Sequence, residues 1–104
     1  MDDPKLAEIV QRLREAYSPE RIYLFGSHAR GEAGPDSDYD LLVVVPDSAP
    51  PVRTASRLAY QVLRGTGTAA DVVVTTHSAF VRRLRVPASL PATAVREGEI
   101  LYAA

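Results

Sequence analysis

Two aspartates one residue apart, Asp38 and Asp40, open the most apolar run of the chain, Leu41-Leu42-Val43-Val44-Val45. In a strand, side chains at i and i+2 share a face, so both carboxylates would be aimed together roughly 7 Å apart. Acids held this way repel each other and resist burial unless cations accompany them. Magnesium accepts hard oxygen ligands and commonly binds through one or two carboxylates plus substrate phosphates. The same Asp-x-Asp spacing also suits two solvated acids at the end of the Pro35-Asp36-Ser37 turn, so it does not decide alone. Gly26-Ser27 is the second element. A glycine directly after a strand lets the backbone approach a ligand closely, and Ser27 would present a hydroxyl and N–H groups at a helix N-terminus, which suits a phosphate. An ordinary strand end with a capping serine gives the same dipeptide. Arg30, in the loop that follows, offers a charge-assisted phosphate contact or is simply solvated. The third element is Asp71, which heads Val72-Val73-Val74. If that strand lies beside the one carrying Asp38 and Asp40, three carboxylates converge. Such a set can hold two divalent ions about 4 Å apart, the clamp used for in-line phosphoryl displacement.

The elements that must position these residues are legible in the apolar periodicity. Asp3 and Pro4 suit a helix start, and Leu6, Ile9, Val10, Leu13, Ala16 and Tyr17 recur at helical spacing until Ser18-Pro19 stops the run. Arg21 to Phe25 reads as a short buried strand ended by Gly26, and residues 26–37 read as a loop with one helical turn after Ser27. Asp38 to Val45 reads as a strand buried on both faces, in which Tyr39 points away from the two acids and packs. After the connector 46–51, a second amphipathic helix is expected with Val52, Ala55, Ala59, Val62 and Leu63 on its apolar side. Gly65-Thr66-Gly67 breaks it before a third strand, Asp71 to Thr75. Residues 76–86 read as a helix with Phe80, Val81 and Leu84 available for packing. A short last helix is expected within 87–98, capped by Gly98, and a short strand at Ile100 to Tyr102. The fold class is α/β, in its α+β form, and residues 1–104 read as a single domain.

Composition narrows the function classes. The 104 residues are 46% hydrophobic and 24% charged with a net charge of −1, a globular balance that argues against direct nucleic-acid binding or attraction to anionic lipid. With no cysteine in the chain, disulfides, thiol catalysis and cysteine-ligated zinc are excluded. His28 and His77 are too isolated to form a metal cage and read as surface or hydrogen-bonding residues. The start, Met1-Asp2-Asp3-Pro4, is acidic, and no apolar run reaches membrane-spanning length, so the expectation is a cytoplasmic, soluble protein.

Gly26-Ser27, ten residues, then Asp38-x-Asp40 resembles the nucleotidyltransferase superfamily that includes DNA polymerase β and the kanamycin nucleotidyltransferases. The fuller string from Gly26 to Leu41 is similar to the small stand-alone branch, the minimal nucleotidyltransferases. So are Ala70-Asp71-Val72-Val73-Val74 and Arg96-Glu97-Gly98-Glu99-Ile100-Leu101-Tyr102, and the resemblance spans essentially the whole chain. It implies a polymerase β palm-like fold, a small mixed β-sheet with helices mainly on one face. It further implies that Gly26 and Ser27 grip the outgoing phosphates, with Arg30 as an additional contact. Asp38 and Asp40 would be the main ligands of two Mg2+ ions, and Asp71 a third carboxylate close to the attacking hydroxyl. The branch resembles antitoxins encoded beside HEPN-type ribonuclease toxins, which implies transfer of AMP from ATP to a toxin tyrosine within a hetero-oligomer.

Length bears on the acceptor independently. A sheet, its helices and a metal site consume nearly all 104 residues, leaving little for an acceptor-binding domain. The second substrate is then presented by another polypeptide or at an oligomer interface. Two arginine sets, Arg53, Arg57 and Arg64 on the second helix and Arg82, Arg83 and Arg85 on the third, are either solvated faces or docking surfaces. Transfer to a small aminoglycoside-like molecule and a non-catalytic antitoxin acting by direct binding remain as alternatives.

Overall fold

The structure, a computed structural model, describes residues 3–104. Helix α1 spans Pro4–Tyr17, with the Asp3 carboxylate accepting from the amides of Lys5 and Leu6 at 3.1 and 3.2 Å. This satisfies two of the donors that a helix start leaves free. The helix ends where Ser18 turns left-handed (φ 46°) ahead of Pro19, whose ring cannot continue it. Strand β1 (Arg21–Phe25) runs into a single helical turn, α2 (Gly26–Ala29), and then a loop to strand β2 (Tyr39–Val45). A 3-10 turn (Pro51–Thr54) and helix α3 (Ser56–Val62) connect to β3 (Ala70–Thr76), followed by α4 (His77–Arg83), α5 (Leu90–Glu97) and β4 (Glu99–Ala103).

The strands form one mixed sheet in the order β3-β2-β1-β4. Strand β1 is antiparallel to β2 and to β4, whereas β2 and β3 run parallel and are joined by the α3 crossover. Alternation along the strands divides the core in two. Ile22, Leu24, Tyr39, Leu41, Val43, Val45 and Val72 pack with Leu6, Ile9, Val10, Leu13 and Tyr17 of α1 and with Ala59 and Leu63. A smaller cluster on the other face joins Tyr23, Leu42 and Val44 to Phe80 of α4 and Ala94 of α5. The expected two-sided burial of β2 is met, since Leu41 to Val45 are all at most 1% exposed.

The Tyr17 hydroxyl ties α1 to the crossover, donating to the Ala55 carbonyl at 2.6 Å and accepting from the Ala59 amide at 2.8 Å. Arg12 adds a second tie, donating to the carbonyls of Val62 and Arg64 at 2.9 and 3.3 Å. The crossover departs from the amphipathic helix expected from Val52 onward. Ala55 is extended (φ −106°, ψ 140°) and splits the segment into the 3-10 turn and α3. Thr54 bonds back to the Pro51 carbonyl at 2.8 Å, closing the turn on itself. Val52 and Ala55 are therefore exposed, and Ala59 and Leu63, with the half-buried Leu58 and Val62, face the core. In α4, Phe80 packs as expected, but Val81 and Leu84 remain 43% and 37% exposed because the helix is too short to bury a second stripe.

Candidate active site

Strands β2 and β3 set two acids side by side. Their parallel register pairs Asp40 with Asp71, and both alternate with residues of the α1-side core, so both carboxylates lie on the α4 side of the sheet. Asp38 sits one residue before β2 and is exposed. The Asp40 carboxyl is pushed above its ordinary range by burial, then by the charges of Asp71 and Asp38, with His28 and Arg30 offsetting part of this. The charges of the other two expected acids thus both reach the Asp40 carboxyl. As they stand, no group of three or more His, Cys, Asp or Glu side chains among the described residues is close enough to hold a metal ion.

Gly26 faces the same point from β1. Phe25 pairs with Asp40 across the ladder, and Gly26 follows with φ +73°. A Cβ here would collide with the Asp40 carboxylate, so the glycine is required both by its backbone and by the acid beside it. Ser27 comes next, half-buried in α2, which begins at Gly26 rather than after Ser27. Arg30 closes the turn; its Nε lies 3.2 Å from Glu32 on the exposed side of the loop, while its charge still reaches Asp40.

Tyr39 holds the aspartate-bearing turn from behind. It points into the α1-side core as expected, and its hydroxyl donates to the Asp3 carboxylate. That bond, with burial, pushes the phenol up to about 12 and holds the Asp3 carboxyl below its ordinary value. His28 stacks on the Tyr39 ring, with centroids 4.1 Å apart, and its Nε2 lies 2.9 Å from the Ser37 carbonyl oxygen. A single set of contacts therefore links the start of α1, α2 and the residues preceding β2.

A cleft of 340 Å³ opens beside these acids, lined by Asp38, Asp71 and Ala70 from the strand ends, by Tyr60, Leu63 and Arg64, and by Thr68 and Ala69. Neither Gly26 nor Ser27 lines it. Tyr60 and Thr68 carry no motif and escaped the sequence reading; only the i, i+4 spacing of Tyr60 and Arg64 hints that they share a face. A larger hollow of 720 Å³ between α1 and β4 contains none of the candidate residues.

The nucleotidyltransferase domain family matches residues 5–97 of this sequence. The chain belongs to that family. A toxin–antitoxin structure with AMP-PNP superposes with a TM-score of 0.66 at 25% identity, covering 98% of this chain and 75% of the other. The MntA–HpeT toxin–antitoxin, in a mutant form, gives 0.63 at 24%, covering 94% and 73%. A candidate nucleotidyltransferase from Sulfolobus solfataricus gives 0.62 at 22%, covering 95% and 78%. A comparison with curated proteins finds no match. The mixed four-stranded sheet is accordingly a nucleotidyltransferase sheet, of the polymerase β-like kind.

Proposed function

We propose that this chain is a magnesium-dependent nucleotidyltransferase antitoxin, which transfers AMP from ATP to a tyrosine of a partner HEPN-type ribonuclease toxin and so silences it. The observation that carries the reading is the register of Asp40 with Asp71 in a nucleotidyltransferase sheet, with Gly26 obliged to leave room for Asp40. The toxin–antitoxin structures among the solved neighbours support the biological role. A reaction that consumes ATP and acts on a ribonuclease toxin is suited to the cytoplasm, where both would be met.

The donor chemistry, three carboxylates with no softer ligand among them, suits a hard divalent cation, though the three are not drawn close enough to enclose one. Burial, and then the charges of Asp71 and Asp38, raise the cost of ionising Asp40, and a hard cation accepting carboxylate oxygens would relieve that cost. Asp38 and Asp40 would be the principal ligands and Asp71 the third. When bound, two Mg2+ ions neutralise charge on the reacting phosphates and on the departing pyrophosphate.

The chain's own residues supply the rest. Gly26 and Ser27 bind the β- and γ-phosphates, with Arg30 at the edge of the same loop. Asp71 takes the proton of the tyrosine hydroxyl as its oxygen attacks the α-phosphorus. One O–P bond forms, the α–β bridging bond breaks, and pyrophosphate leaves with its electron pair. Preorganisation of charge around the displacement carries most of the rate advantage, as in phosphoryl transfer generally.

The direct test is to co-express the chain with its toxin partner and compare the wild type with an Asp38→Asn, Asp40→Asn double variant. Loss of neutralisation in the double variant, with the complex still formed, is the expected result. Full neutralisation by that variant would mean that binding alone silences the toxin. Transfer by the isolated chain to an aminoglycoside would instead revive the small-molecule reading.

A further inference from the structure

The α4 side of the sheet stays open beyond the carboxylate corner. No acid stands between Asp71 and Glu97, yet Arg82, Arg83 and Arg85 fall within four residues of that stretch, in a chain whose net charge is −1. None of these three arginines forms an ion pair among the described residues. Apolar side chains are open here too. Val81, Leu84 and Val86 are three of the eight large hydrophobics exposed among the described residues. Val73 is another, two residues on from Asp71 on the same face of the strand that leads into α4.

A hollow of 400 Å³ lies along α4, lined by His77, Ser78, Val81, Arg82 and Arg85. Helical spacing puts these on one side of the helix and Arg83 on another. The two ends of the hollow differ. At one, His77 Nδ1 lies 2.7 Å from Glu20, and Asp47 accepts from the Ser78 amide at 2.9 Å and from the Ser78 hydroxyl. At the other, the Arg82 and Arg85 guanidiniums have no acid of this chain to meet. The backbone there is fixed: the Arg83 carbonyl accepts from the Val86 amide at 3.0 Å and from the Ser89 hydroxyl at 2.6 Å, and Arg96 donates to the Pro87 carbonyl at 3.3 Å. A surface held this firmly loses little entropy when a partner docks.

We propose that this face of α4 is where the acceptor protein docks, and that it receives an acidic amphipathic segment: carboxylates at Arg82 and Arg85, an apolar side against Val81 and Leu84. The proposal rests on the reading of a protein acceptor and assigns the surface that holds it. Paired guanidiniums select carboxylates, and arginines around an aliphatic strip suit a segment with one acidic and one apolar side. Position favours α4 over the other arginine set. Arg53 and Arg57 belong to the crossover, whose Ala59 and Leu63 pack on the α1 side, whereas the Asp40 and Asp71 carboxylates face the α4 side. RNA fits less well: the hollow has no Phe, Tyr or Trp for stacking, and Glu20 and Asp47 at its far end would repel a phosphate backbone.

The test uses the toxin partner co-expressed with the chain, and measures association rate, affinity and salt dependence. The variants are Arg82→Glu with Arg85→Glu, Arg83→Glu alone, Val81→Ser, and Arg53→Glu with Arg57→Glu. The Arg82/Arg85 reversal should weaken the complex about ten- to hundredfold, mainly through slower association, with the gap narrowing as salt rises. Val81→Ser should speed dissociation severalfold, Arg83→Glu should do less than the double reversal, and the Arg53/Arg57 pair should change little. Melting temperature and Mg-ATP binding should hold in all of them. Unchanged affinity in the Arg82/Arg85 variant, or an equal loss in the Arg53/Arg57 variant, would overturn the proposal. So would a dimer of the chain alone, or binding of a single-stranded RNA, that the Arg82/Arg85 reversal abolishes while the toxin complex persists. A complex that needs Arg82 and Arg85 but shows no AMP transfer would sink the enzyme reading and leave the docking surface standing. Failure of the folded wild type to bind the toxin would sink both.

Discussion

The two faces of the sheet, built partly from the same strand, have opposite characters. On the α1 side, Leu41, Val43 and Val45 are fully enclosed, as are Ile9, Leu13 and Tyr17 above them. On the α4 side, Leu42 and Val44 are sealed under Phe80 and Ala94, but the sheet then runs out to Asp40, Asp71 and a Val73 that is 41% exposed. Residues 81–88, which follow Phe80, are exposed without interruption. The first face supplies rigidity and carries no chemistry. The second leaves charge and apolar surface open together, which a protein tolerates where a ligand or partner completes it.

That contrast can be broken most visibly in the core. Leu13→Ala should cost about 2–5 kcal/mol by leaving a cavity on the sealed face, whereas Val73→Ala on the open face should stay within about 0.5 kcal/mol. Urea unfolding of both variants measures the difference, and similar losses would contradict it. Tyr17→Phe should cost about 1–3 kcal/mol, because the Ala59 amide and the Ala55 carbonyl lose their shared partner. A comparable loss, about 1–3 kcal/mol, is expected for Gly26→Ala through backbone strain and the clash with Asp40, together with weakened nucleotide binding. Thermal melts with and without Mg-ATP would separate the two effects.

Smaller effects sharpen the account of the open face. In EDTA, Asp40→Asn should raise stability, by less than about 1 kcal/mol for a carboxylate still partly in water. Added Mg2+ should then stabilise the wild type and not the variant. The smallest change is expected at the start of α1. Asp3 titrates below its ordinary 3.8, chiefly because Tyr39 donates to it, so its contribution is present above pH 4 and fades as pH falls through the lowered value. Asp3→Asn keeps an N-cap but removes that charge. The acid limb of a stability–pH curve should flatten, with little change at pH 7.

Much of this arrangement could be read from residue pattern because local and global signals agreed. Asp3-Pro4 and the apolar spacing mark α1, and Gly26 closes β1 where the structure ends it. Tyr39, placed between two acids in an alternating strand, had to face the other way. Where reading failed, backbone chemistry or tertiary context prevailed. Pro50, Pro51 and the Thr54 hydroxyl wind a 3-10 turn that periodicity alone cannot distinguish from the start of α3. Asp38 lies one residue outside β2, a difference finer than any strand boundary read from sequence can resolve. Tyr60 and Thr68 become neighbours of Asp38 and Asp71 only through the crossover, and no local motif announces that.

The central claim is transfer of a nucleotidyl group to a protein partner, and an intact-mass spectrum tests it most directly. The complex of this chain with its co-purifying partner would be measured before and after incubation with Mg-ATP, using the wild type and the Asp38→Asn, Asp40→Asn variant. The account predicts that the partner gains one or more AMP units with the wild type only, at a tyrosine. A stable partner whose mass never changes would contradict it and leave binding as the means of neutralisation.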